Sequence, residues 1–312
     1  MAQIVMAPIG MALVDAHQTD TLLHIIGSGA IGSLIAARAQ KTNLAYSRHI
    51  RSTAVKDVHL MDGDTVHLRG PVNQWPAYSP RELTVLFPLK SYQIVSAIDE
   101  YAPCIPHGSN VVLIHNGMGC YEQAQTALAA FHTFMATTSD AAFKPSPQVC
   151  RQTGTGHTKI GYIDGRQNSE RLQSVTSLMA KLLSGVASEQ AIQTAMWHKL
   201  AVNALINPLT ALHDVPNGAL LEPAYTAQLE ALADEVSAVM RACDINVSPQ
   251  GILTAVREVC HKTAENYSSM HQDRVHGRRT EIDAINGYIV EQGLKKGLNC
   301  TCNQALINAI KR

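Results

Sequence analysis

Three closely spaced glycines constrain the fold of this chain more than any other feature of its sequence. The stretch LLHIIGSGAIGSLIAARAQ holds Gly27, Gly29 and Gly32 at the spacing G-x-G-x-x-G, directly after an apolar run of strand length and at the start of a helical pattern. In such a unit the first glycine permits a tight turn, the second lets a diphosphate approach the backbone, and the third allows close helix packing. The pattern therefore predicts a dinucleotide site at the N-terminus of the helix. Its expected contacts are Gly27, Ser28, Gly29, Ala30, Ile31 and Gly32.

The residues that follow this turn distinguish between two forms of dinucleotide. NAD sites of this type usually carry an acidic residue about 20 positions further on, which accepts a hydrogen bond from the ribose 2′-hydroxyl. Here no acidic residue occurs between Gly32 and Asp57, whereas Arg48 and Arg51 lie where the second strand should end. A guanidinium can bind a 2′-phosphate that a carboxylate would repel. We therefore predict NADPH as the cofactor, with its 2′-phosphate on Arg48 or Arg51.

The distribution of apolar residues predicts two unlike halves. Four strand-length apolar runs are typical of strands that are covered on both faces in a parallel sheet. They are TLLHIIG (21–27), LTVLFPL (83–89), NVVLIHN (110–116) and FMATT (134–138). From about Ser188 onward, long helical patterns such as AQLEALADEVSAVMRACDI replace them. The sequence thus predicts an α/β Rossmann-like domain over residues 21–187 and an all-α domain over residues 188–312.

The charge balance and the cysteines argue against several other classes of protein. The 25 basic residues offset the 25 acidic ones, so no overall positive field favours nucleic acid or an anionic membrane. Seven scattered cysteines indicate reduced thiols, and Cys300 with Cys302 lacks the second pair that a zinc site needs, so we expect no metal. The first twenty residues, interrupted by Pro8 and Asp15, make a poor signal peptide and are too short for a membrane span. We expect a cytoplasmic protein with neither nucleic-acid nor membrane partners.

Two polar residues mark the carboxyl ends of consecutive predicted strands. Lys90 follows LTVLFPL, and Asn116 closes NVVLIHN. In an open parallel sheet, ligands bind beyond these strand ends. Each residue alone would also suit an ordinary turn, but a cation and an amide at the same edge favour a role in the cofactor crevice.

A third feature is a polar stripe on an otherwise apolar helix. In MWHKLAVNALINPLTALHDVPNG (196–218), Lys199, Asn203 and Asn207 recur at intervals of four residues, which places them one above another on a helix. Little other polar surface remains there, and a buried ammonium needs a partner or a polar cleft. A cleft between the domains meets this need, and the turn VPNG can present Asn217 to it. Lys199, protonated at neutral pH, is then a candidate general acid that donates to an alkoxide as hydride reaches a ketone carbon.

A second polar cluster lies nearer the C-terminus, in TAENYSSMHQDRVHGRRTEIDAING (263–287). Ser268 and Ser269 suit helix caps or surface positions. Two arginines and Glu281 precede an apolar helix, which suggests a loop that returns to the cleft. There the Glu281 carboxylate could hold Lys199 or a substrate hydroxyl.

The ordered set of these motifs resembles the ketopantoate reductase (2-dehydropantoate 2-reductase) family over most of residues 22–310. The motifs are GSGAIG, HNGMG, KLAVNALINPLTAL, VPNG, TAENYSSMHQD and RRTEIDAING. The resemblance implies a Rossmann domain joined to an all-helical domain like the C-terminal one of 6-phosphogluconate dehydrogenase. It also implies that NADPH reduces the 2-keto acid 2-dehydropantoate to (R)-pantoate, on the route to pantothenate and coenzyme A.

The resemblance implies roles for single residues as well. Lys199 matches the family's proton donor, and Glu281 matches a glutamate near the substrate hydroxyl and the cofactor, so these two form the implied catalytic pair. Asn116 matches an asparagine that meets both ligands, while Lys90 and Ala142 match cofactor contacts. The other matches are substrate-binding positions, with the serine on the substrate carboxylate: Asn203, Asn207, Asn217 and Ser269.

Three segments depart from the family pattern, and several questions stay open. Residues 1–20 precede the usual first strand, residues 41–56 do not align cleanly, and Asp140 in TTSDAA replaces a histidine that many relatives have. Two other functions are possible: a related β-hydroxyacid or 6-phosphogluconate type dehydrogenase acting on another small acid, and a non-catalytic NADPH-binding sensor. The sequence does not distinguish a monomer from a homodimer, nor does it exclude activity on other branched 2-keto acids.

Overall fold

The computed structural model describes residues 22–75 and 83–312. Its strands are β1 (Leu22–Ile26), β2 (Tyr46–His49), β3 (Asp57–His59), β4 (Thr65–His67), β5 (Leu83–Pro88), β6 (Asn110–Ile114), β7 (His132–Thr138), β8 (Ala141–Ser146), β9 (Val149–Gly154), β10 (Thr158–Tyr162) and β11 (Val186–Ser188). Its α-helices are α1 (Ala30–Lys41), α2 (Ser91–Tyr101), α3 (Cys120–Leu128), α4 (Ser169–Ala180), α5 (Ile192–His213), α6 (Thr226–Ala242), α7 (Pro249–Lys262), α8 (Ser269–Val275), α9 (Tyr288–Lys295) and α10 (Thr301–Ile310). One turn of π-helix, Asp283–Gly287, leads into α9.

The larger sheet has seven strands in the order β11-β10-β7-β6-β5-β1-β2. Neighbouring strands run parallel, except that β10 is antiparallel to β7. Every residue of β5 and β6 is buried, which explains why these strands appear in the sequence as continuous apolar runs. The predicted α/β Rossmann-like class is confirmed for this half. The carboxyl ends of β1, β5 and β6 lie at one edge of the sheet, where ligands bind in folds of this type.

A second sheet of four strands, which the sequence did not predict, covers the outer face of α1. Its strand order is β4-β3-β9-β8. Leu34 and Ala37 of α1 pack there against Val58, Val66 and Cys150. Helix α1, which follows the glycine turn, therefore lies between the two sheets.

The C-terminal part contains only helices from α5 onward, as predicted. The long helix α5 lies at its centre, in contact with α6, α7, α8 and α10. Buried side chains of the sheet, such as Phe87 and Leu113, belong to the same apolar cluster as Leu200 and Leu205 of α5. The division of the chain at residues 187 and 188 stays a prediction, and the predicted domain start at residue 21 lies outside the described residues.

The described residues were compared with the requirements of a membrane-spanning helix and of a metal site. Within residues 22–75 and 83–312, the helices are all too short or too polar to cross a membrane. The same ranges contain no group of three or more His, Cys, Asp or Glu side chains that could hold a metal ion.

Candidate active site

The glycine turn lies where β1 passes into α1. Gly27 has a φ of +124°, a conformation that favours glycine, and a Cβ on it would lie 2.6 Å from Leu89 Cδ2. A Cβ on Gly32 would lie 2.9 Å from the Gly27 carbonyl oxygen and 3.0 Å from Pro88 Cγ. Packing within the protein itself therefore requires both of these glycines.

Gly29 differs from them because the protein leaves space beside it. The nearest atom to a Cβ on Gly29 would be the Pro88 carbonyl oxygen, at the ordinary contact distance of 3.8 Å. Gly29 is also the N-cap of α1, and no side chain of the described residues caps this helix, so its first N–H groups are open to an anion. The free space and the free donors fit the diphosphate of a dinucleotide.

The two arginines considered for the 2′-phosphate lie in different surroundings. Arg48 is buried on β2, and its guanidinium donates to the Val55 carbonyl oxygen at 3.1 Å. Arg51 lies in the loop after β2 with half of its side chain exposed, where it pairs with Glu100 and lies near the ring of Tyr101. Of the two, Arg51 presents its guanidinium to solvent.

The ends of β5 and β6 meet the helical part in one charged network. Lys90 Nζ donates to Asp273 Oδ2 at 2.6 Å and to Glu281 Oε2 at 3.4 Å. Glu281 also accepts from the backbone N–H of Ser91 at 2.9 Å and from Asn116 Nδ2 at 3.3 Å. Burial alone would lower the pKa of Lys90, but the two carboxylates outweigh it and raise that pKa above its ordinary value. The structure thus brings Lys90, Asn116 and Glu281 together at the sheet edge.

Lys199 projects from α5 to the end of β7. Its Nζ donates to the Thr138 carbonyl oxygen at 2.5 Å. Among the described residues no carboxylate oxygen lies within 4.0 Å of this ammonium, and Glu281 contacts Lys90 instead. Burial lowers the pKa of Lys199 to about 8, and the charge of Glu281 partly opposes this shift. Such an ammonium can release its proton near physiological pH.

Lys199 lines a small pocket between α5 and the ends of β6 and β7. The wall carries both polar and apolar side chains, among them His115, Asn116, Met135, Thr137, Leu200 and Asn203. The pocket therefore joins the strand-end amide, the ammonium and the first asparagine of the predicted stripe.

The rest of the stripe continues along the same helix. The prediction of one helix is confirmed, since α5 contains Lys199, Asn203 and Asn207. Asn217 follows the helix, and its Nδ2 donates to Thr263 Oγ1 at 2.9 Å. The buried Oδ1 of Asn217 has no hydrogen-bond partner in the part of the chain that the structure describes.

The two serines of the second cluster take different positions. Ser268 is buried and caps α8 by accepting from the His271 N–H at 3.1 Å, which agrees with the cap considered above. Its hydroxyl also receives a bond from Thr210 Oγ1 at 2.8 Å, which ties α8 to α5. Ser269, the next residue, is exposed.

The sequence of this chain matches two protein-family models. A model described as "Ketopantoate reductase PanE/ApbA" matches residues 23–165, and one described as "Ketopantoate reductase PanE/ApbA C terminal" matches residues 191–312. The chain belongs to the ketopantoate reductase family. This match confirms the resemblance inferred from the motifs, and with it the predicted combination of a Rossmann-like domain and a helical one.

Relatives within the ketopantoate reductase family match almost the whole chain. The 2-dehydropantoate 2-reductase of Vibrio cholerae is 34% identical over 290 residues, which cover 92% of this chain and 96% of the relative. The 2-dehydropantoate 2-reductase of Salmonella typhimurium is 32% identical over 290 residues, with coverages of 92% and 93%. The similarity therefore extends over both parts of the fold.

Solved structures with the same fold include ketopantoate reductases and an enzyme with a different name. A PanE/ApbA family ketopantoate reductase from Ralstonia eutropha has a TM-score of 0.81 at 22% identity, covering 93% of this chain and 97% of that one. A D-mandelate dehydrogenase, in a ternary structure with NADH and anilino(oxo)acetate, has a TM-score of 0.82 at 18% identity with the same coverages. At these identities the likeness concerns the fold, which does not by itself determine the substrate.

Asp140 lies in the turn between β7 and β8, and the structure provides a physical account of this residue. Its buried carboxylate accepts bonds from Arg38 at 3.1 Å, from the Gly156 N–H at 2.8 Å and from the Ser184 N–H at 2.9 Å. Its own N–H donates to Thr138 Oγ1 at 3.1 Å. A neutral histidine has one acceptor nitrogen and could not accept all three bonds. Asp140 thus anchors α1 and two loops beside the strand end that holds Lys199.

Two charged residues near the site were not among those predicted from the sequence. Asp273, the partner of Lys90, is the last residue of TAENYSSMHQD, so a signal for it existed within a family motif. Lys144 lies on β8, two residues after the predicted cofactor contact Ala142, and its Nζ donates to the Ser28 carbonyl oxygen at 3.2 Å. No local motif marks Lys144, because only the packing of β8 on α1 brings it to the glycine turn.

Proposed function

We propose that this protein is an NADPH-dependent 2-dehydropantoate 2-reductase that supplies (R)-pantoate for pantothenate and coenzyme A biosynthesis. The observation that carries the proposal is the Lys199 ammonium, which has a carbonyl oxygen as its partner and lines the same pocket as Asn116. The similarity to curated 2-dehydropantoate 2-reductases supports the choice of substrate. We expect small-molecule ligands and neither nucleic-acid nor membrane partners. We also expect the protein to act in the cytoplasm, as a monomer or a homodimer.

Lys199 would act as the proton donor. NADPH, when bound, supplies the hydride that reduces the ketone carbon. The carbonyl oxygen then needs a proton to become a hydroxyl group, and Lys199 Nζ donates it and is left as a neutral amine. Because burial lowers the pKa of Lys199 to about 8, this neutral form is accessible, and water can restore the proton.

The amides and the exposed serine would bind the substrate. Asn203 lies one helical turn from Lys199, and Asn207 lies one turn further. The Oδ1 of Asn217, which has no partner within residues 22–75 and 83–312, suits a hydroxyl donor such as those of the substrate, since buried polar atoms are normally satisfied. Ser269 is exposed, and its hydroxyl would donate to the substrate carboxylate.

Glu281 would act by orienting its neighbours. Its two oxygens accept from Lys90, the Ser91 N–H and Asn116, so removal of the carboxylate takes an acceptor from all three donors and leaves Lys90 paired with Asp273 alone. With Glu281 in place, Lys90 and Asn116 would contact the cofactor, and Asn116 would also reach the substrate. Ala142 would line the cofactor site from β8.

Replacing Arg51 by glutamine is expected to raise the Kd of NADPH about tenfold and to leave the Kd of NADH unchanged. The guanidinium would bind the 2′-phosphate, and its exposed pair with Glu100 is weak enough to be exchanged for that contact. Fluorescence titration with both cofactors measures the two constants.

The matched control for this prediction is Arg48→Gln, which removes the same group from the buried position on β2. It is expected to lower the melting temperature without altering the preference between the cofactors. A preference lost in Arg48→Gln and kept in Arg51→Gln would reverse the assignment.

The pH dependence of turnover provides a separate prediction. Only protonated Lys199 can donate, so kcat/KM is expected to be constant below the Lys199 pKa of about 8 and to fall as the pH rises through it. Initial rates with 2-dehydropantoate, measured on both sides of this pH at constant ionic strength, give the profile. A kcat/KM that increases through this range would show that a deprotonated group is required instead.

The direct test of function is an assay with NADPH and 2-dehydropantoate, followed by loss of the reduced-nicotinamide absorbance. Fast oxidation with this pair, and slow oxidation with NADH or other 2-keto acids, is the expected result. Oxidation with another acid alone would favour a related dehydrogenase. Tight NADPH binding without oxidation of any substrate would favour a non-catalytic sensor.

A further inference from the structure

Lys144 is a cation that the proposed chemistry does not use. It lies on β8 of the smaller sheet, is partly buried, and donates from Nζ to the Ser28 carbonyl oxygen at 3.2 Å. This oxygen belongs to the glycine turn, between Gly27 and Gly29. The strand reaches the turn because β8 packs on α1, where Ala30 and Ala142 adjoin one apolar cluster.

The charge of Lys144 has no counterion among the residues that the structure describes. Within residues 22–75 and 83–312, no carboxylate oxygen lies within 4.0 Å of its Nζ, whereas Lys41 and Lys159 each form ion pairs. The titratable neighbour is Cys150, and burial raises the pKa of its thiol to about 12, so the thiol is neutral at physiological pH. Burial lowers the pKa of Lys144, as expected for an ammonium with too few partners.

The surroundings of Ser28 indicate which part of a dinucleotide this ammonium meets. The Ser28 hydroxyl lies 3.4 Å from Ser52 Oγ, in the loop that also carries Arg51. The Ser28 carbonyl oxygen instead contacts Lys144. Lys144 and the loop that carries Arg51 thus meet different groups of Ser28, the carbonyl oxygen and the hydroxyl, which suits two different phosphate positions.

We propose that Lys144 binds the diphosphate of the dinucleotide cofactor, beside the open N–H groups of α1. The ammonium has three N–H donors and uses one of them on Ser28, which leaves two for phosphate oxygens. The helix N-terminus contributes only partial positive charge, whereas Lys144 contributes a full one. The inference rests on the proposed function, since it concerns the same cofactor site, but it assigns Lys144 independently of the reacting groups.

Binding measurements on Lys144→Gln test this assignment without relying on turnover. The probes are NADPH, NADH, ADP-ribose, which keeps the diphosphate, and adenosine 2′-monophosphate, which lacks it. We expect Kd values about tenfold higher for the first three probes and an unchanged value for the fourth. Lys144→Arg keeps the charge and is expected to bind all four nearly as the unmodified protein does.

Two control variants separate the diphosphate contact from other effects. Lys56→Gln removes the same charge from an exposed lysine close to the smaller sheet and should leave all four constants unchanged. Arg51→Gln should show the reverse pattern, with weaker binding of NADPH and adenosine 2′-monophosphate alone. The affinity of Lys144→Gln for ADP-ribose should also depend less on salt than that of the unmodified protein.

Three results would overturn the inference. An unchanged Kd of ADP-ribose in Lys144→Gln, with a lowered melting temperature, would make the lysine a structural tie between β8 and the turn. A loss confined to NADPH and adenosine 2′-monophosphate would assign it to the 2′-phosphate. If the unmodified protein bound none of the dinucleotides, the proposed function would fail as well, so the two failures are distinguishable.

Discussion

Replacing Lys199 by alanine is expected to lower kcat for 2-dehydropantoate by roughly 10²- to 10⁴-fold, the usual contribution of a positioned proton donor. The pocket then retains amides, which do not release protons near neutral pH, and His115, whose pKa is lowered by burial so that the imidazole is neutral at physiological pH. The Kd of NADPH is expected to stay unchanged, because Lys199 contacts the Thr138 carbonyl oxygen and not the glycine turn. Steady-state kinetics and cofactor titration on the same preparation measure both quantities.

Two further variants make this result specific to Lys199. Lys181→Ala removes an exposed lysine after α4 and should have normal kinetics. Lys199→Arg keeps the positive charge in the pocket but holds its proton far more tightly, so kcat should again be low. A kcat for Lys199→Ala within about tenfold of the unmodified value would remove the proton-donor role.

Replacing Gly29 by aspartate is expected to raise the Kd of both NADPH and NADH by about 100-fold, which corresponds to about 2.7 kcal/mol. The new carboxylate would lie where the diphosphate approaches, and two like charges about 4 Å apart near a protein surface repel by about 4 kcal/mol. The protein itself has room for the side chain, since the atom nearest to a Cβ on Gly29 is 3.8 Å away. Titration with each dinucleotide gives the two constants.

The fold is expected to tolerate this change. Gly29 is the N-cap of α1 in an extended conformation, and aspartate is a favoured N-cap residue, so the melting temperature should not fall. Gly29→Asn has nearly the same shape without the charge and should weaken binding less. Gly32→Ala should instead lower the melting temperature, because its Cβ would lie 2.9 Å from the Gly27 carbonyl oxygen. Equal binding by Gly29→Asp and the unmodified protein would place the diphosphate elsewhere.

The parts of the site that the sequence predicted depend on local geometry. Four-residue spacing is enough to align Lys199, Asn203 and Asn207 once the segment is helical, and α5 is helical throughout. The meeting of Lys90 with Asn116 follows from parallel strands that end at one edge. Patterns of period and spacing determine such features without reference to the rest of the chain.

The features that the sequence did not predict depend on contacts between distant segments. Strands β3 and β4 have three residues each, too few to show an alternating pattern, and β3 pairs with β9, which lies far along the chain. The anchoring of Asp140 by Arg38 joins α1 to the turn after β7. The proposal of Arg51 over Arg48 for the 2′-phosphate depends on which guanidinium is buried. Spacing alone cannot specify these relationships, because each depends on the tertiary packing.

The ion pair between Arg38 and the buried Asp140 also restricts which substitutions this chain can accept. Loss of one partner from a buried ion pair typically costs about 3–5 kcal/mol, out of a total stability of about 5–15 kcal/mol for a native protein. A single-step exchange of Asp140 for histidine would leave Arg38 and two backbone N–H groups without their acceptor. An exchange of Asp140 is therefore expected to need compensating substitutions around Arg38, so the order in which mutations arise becomes a constraint on the evolution of this chain.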